Sequence, residues 1–363
     1  MFRKHKAALT NGGVIQRAEY GVVAVHSLPS AQPSDGVGAD LESLKDRINA
    51  NTGLFEKTIC NCISPAMLLW ILNCAAFAVH LSMGVVVLVE GGKNPDEMAF
   101  QITQVVGTWQ NLSAREGYAW FVQDSDLGLV RLDILCATFA FISSGFHFLI
   151  CCFSFWALSS CPCQLRINYV YYASIERCNI FWRWLEYTFS APIMTIALYL
   201  ISGIREQNVI ILTFCLQSAT MITGFLTELH SMPVHDSDRA TSKDVGTKNW
   251  TTPYFQRVAA YLLGWFTYVP VWVVFLSTFY KYVNHARDCC DNNVPRWVPF
   301  IIWFEVFIFT LFAIPLPLYQ WRAPRYYWQT ELIYTSLSLL SKTMLNGVLL
   351  SQVFILGRLD LTL

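Results

Sequence analysis

From residue 66 onward the chain alternates long apolar runs with short polar or proline-containing turns. Seven runs are long enough for a helix to cross a ~30 Å hydrocarbon core, which takes about 20 residues: roughly 66–89, 129–157, 180–203, 207–229, 254–281, 297–321 and 330–357. Pro192, Pro270, Pro315 and Pro317 fall inside runs, where packed neighbours can satisfy the freed backbone groups, so they mark kinks rather than ends. The pattern predicts an all-α membrane protein, a seven-transmembrane-helix bundle over residues 61–363. Residues 1–60 are polar and contain glycine, with one short amphipathic stretch at LESLKDRI, and are expected to form a mostly disordered cytoplasmic tail.

Composition agrees. Of 363 residues, 54% are hydrophobic and only 14% charged, and the mean hydropathy of +0.40 excludes an ordinary soluble domain. The basic start MFRKHK is followed by ALTNGG and not by an apolar core, so no cleavable signal peptide is expected. Fourteen Lys and Arg lie in residues 1–65 and the loops near 158–179, 230–253 and 322–329, against six in the segments on the opposite side, which places the N-terminus inside. Seven crossings then put the C-terminus outside.

Of the twelve cysteines, Cys74, Cys136, Cys151, Cys152 and Cys215 fall within spans. Cys60, Cys62, Cys161, Cys163 and Cys178 cluster at the inner mouth, where thiols stay reduced and are candidates for acylation. Cys289 and Cys290 face outward, and Asn111-Leu112-Ser113 is an outward sequon; Asn249-Trp250-Thr251 would lie inside. The net charge is +0, and no nucleic-acid partner is expected. Metal-ligand spacing, a phosphate loop and a nucleophile elbow are all missing, so no metal site and no enzyme are expected.

Chemistry enters with one residue. In SLSLLSKTMLNGVLLSQVFIL, residues 336–356, Lys342 is the single charge, and it lies near the midplane of the last span. An ammonium ion there costs at least ~2.5–3.5 kcal/mol. It is either paired with an acid to fix helix packing or consumed as a Schiff base. The matching acid is in the third span, CNIFWRWLEYTFSAPIM, where Glu186 follows Arg183 by one turn and precedes Tyr187. A buried carboxylate needs a cation, and Arg183 and Lys342 are the candidates. At ~1.5 Å per residue, Lys342 lies about 18 Å deep and Glu186 about 16 Å. His80 of the first span and His147 of the second come to about 21 Å and 15 Å, so a proton network of these groups is expected at one layer.

These residues carry a resemblance. Arg183-Trp184-x-Glu186-Tyr187-x-x-Ser190-x-x-x-Met194, with Ser338-x-x-x-Lys342 in the last span, resembles the heliorhodopsins, the inverted family of retinal-binding microbial rhodopsins. The resemblance extends over all seven spans and agrees with an inside N-terminus. Asn179 lies one residue further from Arg183 than the family pattern has it and is assigned no role. The resemblance implies all-trans retinal bound to Lys342 as a Schiff base, with Glu186 as counterion and a proton-accepting network of His80, His147, Arg183 and Ser338. It implies light sensing with a slow photocycle, a homodimer, and strands in the segment 90–128. Pumps of the wider rhodopsin class carry an aspartate four residues before the lysine and a donor eleven after the third-span acid. Here those positions are Ser338 and Ala197.

Two alternatives stay open. Glu305, in PFIIWFEVFIF of the sixth span, is a rim carboxylate or part of a proton path that would make a light-gated proton channel. A retinal-free seven-helix receptor or carrier would use Lys342 to bind an anionic ligand. Glu228, near the end of the fourth span, reads as interfacial. Tyr187, Met194, Met221, Trp272 and Phe307 are the candidate retinal-pocket walls. The expected location is the plasma membrane, with the lipid bilayer and retinal as partners.

Overall fold

The computed structural model describes residues 43, 45–50, 54–55, 63–113, 117–158, 165–232, 253–290, 294–320 and 327–355. Most of the tail expected over 1–60 lies outside them, as do the triplet at Asn249 and Cys60, Cys62, Cys161 and Cys163. The stretch 45–50 is helical, with Ile48 buried.

Eight helices and one hairpin follow: α1 (Pro65–Gly91), β1 (Ala99–Ser113), β2 (Gly117–Arg131), α2 (Leu132–Leu158), α3 (Leu165–Glu176), α4 (Phe181–Ile201), α5 (Gln207–Leu229), α6 (Tyr254–Cys290), α7 (Trp297–Leu311) and α8 (Tyr327–Leu349). All but α3 belong to the seven segments long and apolar enough to cross a membrane. α7 continues through turns into a π-helical turn at Leu316–Gln320, after Pro315, and α8 ends in another at Leu350–Ile355. Helix α1 is set by Ser64, whose Oγ accepts from the Met67 N–H at 3.3 Å, with Pro65 at the first helical position, where its missing N–H costs nothing.

The strands expected in 90–128 are present as one antiparallel hairpin, Ala99 pairing with Arg131 and Ser113 with Gly117. A bulge opposite Ile102 and Thr103 is accommodated by Gly128, whose φ of +149° a side chain would resist. The Thr103 N–H donates to the Arg205 carbonyl at 3.0 Å, which ties the hairpin to the turn between α4 and α5.

α4 is the most buried of the seven spans. Its Pro192 has no N–H for the Thr188 carbonyl, and that carbonyl instead accepts from Ser218 Oγ of α5 at 3.0 Å. Tyr199 OH donates to the Val271 carbonyl of α6 at 3.0 Å, and its ring stacks on Phe275 with centroids 4.8 Å apart. Close approach of α5 depends on Gly224, where a Cβ would stand 2.2 Å from the Trp184 ring. A second apolar cluster, around Tyr171, Tyr172, Ile175, Ile180 and Tyr327, seats α3 against the bundle.

Cys178, in the turn between α3 and α4, corrects one expectation. It is wholly buried, and burial pushes its thiol well above its ordinary range, so it is not placed for acylation.

Two glycines test the packing. Gly224→Ala should destabilise the folded protein by about 1–3 kcal/mol through overpacking against Trp184. Gly347→Ala, on α8, meets nothing within 4 Å and should be neutral or slightly stabilising. Thermal melting of the purified protein ranks the two.

Candidate functional site

Lys342 of α8 is buried, and its Nζ donates to Glu186 Oε1 of α4 and, at 2.6 Å, to Ser143 Oγ of α2. Ser143 Oγ in turn donates to the same Glu186 oxygen at 2.7 Å. Three helices therefore meet in a closed triangle of ammonium, hydroxyl and carboxylate. The Lys342 ammonium also stands 5.3 Å from the centroid of the Tyr187 ring, whose OH donates to the Tyr334 carbonyl at 3.1 Å.

Beside the triangle, His80 of α1 and His147 of α2 are buried and stacked, with ring centroids 5.6 Å apart and planes inclined by 22°. His147 Nδ1 lies 2.8 Å from Asn73 Oδ1. Both nitrogens of His80 and the Nε2 of His147 have no hydrogen-bond partner among the described residues.

Arg183 is not part of this group. One turn before Glu186, it points to a separate buried cluster: Nη1 donates to Glu331 Oε2, Nη2 to Glu228 Oε1, and Nη2 also to Tyr327 OH at 3.0 Å. The Tyr327 hydroxyl donates to Glu228 Oε1 at 2.7 Å, the Ile180 N–H to Glu228 Oε2 at 3.2 Å, and Tyr171 OH to Glu331 Oε1 at 3.1 Å. The expectation that Arg183 joins the histidines fails because a guanidinium reaches sideways. Its fork satisfies carboxylates on α5 and α8 rather than the acid on its own helix. Glu228, at the end of its span, is fully buried within the protein, covered by Tyr327 and the α4 N-terminus. Glu331 is absent from the sequence reading because it opens the last span, where an acid reads as interfacial. Two acids at the ends of spans facing one buried arginine are the signal that points to it.

A cavity of about 300 Å³ opens on Lys342, lined by Tyr187, Ser190, Ala191, Met194, Met221, Phe309, Phe312, Ser338 and Ser341. A second, of about 570 Å³, shares Met221, Phe309 and Phe312 and continues between α5, α6 and α7 past Trp184, Gly224, Gly264, Trp265 and Tyr268. Of the expected walls, Tyr187, Met194 and Met221 line the first cavity. Trp272 is buried and packs on Phe309 at 5.4 Å but lines neither cavity. Phe307 is 60% exposed on the outer face of α7. At ~100° per residue, Glu305, Phe309 and Phe312 share one helix face and Phe307 points the opposite way. The acid itself marks the inward face of an otherwise uniformly apolar helix.

Glu305 is wholly buried. Ser341 Oγ, from the residue next to Lys342, donates to its Oε2 at 2.5 Å, while Oε1 has no partner.

A model of the heliorhodopsin family matches residues 69–354, from the first span to the last. The chain belongs to the heliorhodopsin family. As a heliorhodopsin it is a retinal-binding, light-responsive, multi-pass membrane protein, which sets aside the retinal-free receptor or carrier. No curated protein matches the chain by sequence. Among solved structures, the crystal structure of a light-driven proton pump, LR (Mac), from Leptosphaeria maculans is similar at 10% identity and a TM-score of 0.36, covering 79% of this chain and 92% of that one.

The residues present fit retinal. The two cavities share Met221, Phe309 and Phe312, are lined mainly by apolar and aromatic side chains, and the first of them holds the Lys342 amine. Lys342, Tyr187, Met194, Met221, Phe309 and Phe312 all border the first cavity and would hold it.

The Arg183 cluster should be structural first. Arg183→Met leaves Glu228 and Glu331 without a cation and should cost about 3–5 kcal/mol, whereas Glu331→Gln leaves one acid to one guanidinium and should cost far less. Chemical denaturation in detergent measures both.

Proposed function

We propose that this heliorhodopsin is a light sensor with a slow photocycle and not a pump, carrying all-trans retinal on Lys342 as a protonated Schiff base with Glu186 as counterion. Bound there, retinal supplies a light-driven change of shape and basicity at the lysine nitrogen. In the structure the Lys342 ammonium stands in for that cationic nitrogen. The chain does the rest. Desolvation of Lys342 favours the free amine that condenses with the aldehyde. Glu186, steered by Ser143, neutralises the cation in low dielectric. His80 and His147, with ring nitrogens free of partners among the described residues, are placed to hold a proton and return it.

The observation that carries this reading is the single carboxylate. Glu186 is the one carboxylate that contacts Lys342 among the described residues, and the positions where a pump holds a second counterion and a donor are Ser338 and Ala197, neither of which ionises. We place the N-terminus on the cytoplasmic side from the excess of Lys and Arg there, and we expect a homodimer in the plasma membrane.

A second reading, a light-gated proton channel, is favoured by one contact. Ser341 lines the cavity with Lys342 and donates to Glu305, which brings a buried carboxyl one side chain from the site.

Protein purified with all-trans retinal should show a visible band that hydroxylamine bleaches. Lys342→Ala should abolish the band while the protein stays in the membrane, and Glu186→Gln should keep a band but shift its maximum strongly. A wild-type spectrum in Lys342→Ala overturns the attachment site, and an unshifted one in Glu186→Gln overturns the counterion.

Voltage clamp separates sensor from channel. We expect no light-driven current at zero driving force. A current that reverses with voltage would support the channel, and Glu305→Gln should then suppress it with little change of colour. Survival of that current in Glu305→Gln discards the Glu305 path.

A further inference from the structure

The two histidines are not equivalent, and a buried asparagine makes the difference. Asn73 of α1 is wholly buried, and its Nδ2 donates to the Leu69 carbonyl at 2.8 Å. That bond fixes the amide, because the flipped orientation would set Oδ1 against a carbonyl oxygen at the same distance, two acceptors facing each other. The Oδ1 therefore faces His147, whose Nδ1 lies 2.8 Å away on α2. An amide oxygen only accepts, so the hydrogen of this bond belongs to His147 Nδ1. A neutral imidazole carries one N–H, which leaves Nε2 with its lone pair, buried and without a partner among the described residues. For His80 nothing comparable exists among the described residues: neither ring nitrogen has a partner there, and either tautomer is open to it.

We infer that Asn73 is a positioning residue that locks His147 as the Nδ1–H tautomer and so makes its Nε2 the atom that receives the proton. The inference rests on the proton-holding role proposed above for the histidine pair. A proton that leaves the Lys342 nitrogen breaks the N–H bond there, forms one at Nε2 and converts the ring to imidazolium, and the existing Nδ1–H···Oδ1 bond becomes charge-assisted and stronger. Asn73 thus orients the acceptor before the proton comes and stabilises the cation afterwards. His80, stacked alongside and unconstrained, is suited to pass the proton on or back. The charged groups nearest the pair are Glu186 and Lys342, which act on both rings.

The test is ¹⁵N NMR of the histidine-labelled full-length protein in lipid bilayers, in the dark with and without retinal and then under illumination. In the dark, His147 should show a protonated Nδ1 and a bare Nε2. Asn73→Leu removes the acceptor at similar size, and His147 should change to the Nε2–H form or a mixture. Asn73→Asp restores the accepting oxygen and should restore Nδ1–H. Under illumination the wild type should gain Nε2–H, and Asn73→Leu should slow that gain by at least about tenfold, part of the ~10²–10⁴ that a positioned proton acceptor contributes. A bare Nδ1 in the wild type overturns the inference, and so does an unchanged tautomer in Asn73→Leu. Should the leucine variant fail to fold, the wild-type tautomer and the Asn73→Asp spectrum still decide. A His147 that holds Nδ1–H in the dark and gains no proton in the light supports the tautomer assignment and overturns the proton-holding role instead.

Discussion

An ammonium ion buried in an apolar bundle has to be matched by an anion, and the contact between Lys342 and Glu186 is the constraint from which the rest of the arrangement follows. It requires α8 and α4 to face each other at that level across the length of the two side chains, and Ser143 brings α2 to the same point. With α4 thus surrounded, its faces must be polar toward the site and tightly packed elsewhere. Ser190 and Ala191 line the cavity, while the Trp184 ring fits only because α5 offers Gly224. Even the proline kink serves the same end, since the carbonyl freed by Pro192 is taken up by α5 and not left exposed in the interior.

The buried charges divide into two groups with opposite character. Around Arg183, every carboxylate oxygen of Glu228 and Glu331 has a partner, and the cluster joins α3, α4, α5 and α8. Such a group, its carboxylates fully partnered although Arg183 Nε is left open among the described residues, specifies how helices assemble and offers little to a ligand or a mobile proton. Around Lys342 the accounting is incomplete. His80, His147 Nε2 and Ser190 Oγ lack partners among the described residues. Buried polar atoms left open in this way are uncommon, and they concentrate where chemistry is done. An aromatic layer separates the two groups: Trp184, Tyr187, Tyr334 and Phe312 pack edge to face or tilted at 5.5–6.2 Å, with Arg183 seated over Tyr334 at 4.2 Å.

Much of this was legible in the sequence. Seven spans could be bounded within a few residues, and Lys342, Glu186, His80 and His147 stood out because ionisable groups are rare in apolar helices and a rise of ~1.5 Å per residue gives their depth. What resisted reading was direction around the helix axis. In a span that is apolar on every side, periodicity names no inner face, so Phe307 was chosen where Phe309 and Phe312 line the cavity. Nearness in sequence also misled for Arg183, whose partners lie 45 and 148 residues away rather than three. Glu228 and Glu331 were obscured by their places at the ends of spans, where α3 covers what would otherwise be an interface, and a short helix of moderate polarity such as α3 gives no sign of being a lid over acids.

The same geometry bears on where a proton can go. Along α8 from Lys342 toward Tyr327, the buried residues Ser338, Tyr334, Glu331 and Tyr327 follow at helical spacing. A proton moving that way would have to neutralise Glu331 or Glu228, each of which compensates Arg183, and so would leave a guanidinium short of an anion in low dielectric. Toward α7 the situation differs. Glu305 holds no cation among the described residues, has one oxygen on Ser341 and the other without a partner, and touches the Lys342 cavity through that serine. Exchange of a proton there disturbs no ion pair. The sensor and the channel readings therefore share every residue around Lys342, and they differ in whether the hydroxyl of Ser341 ever passes a proton to Glu305, a buried acid that pairs with no cation among the described residues.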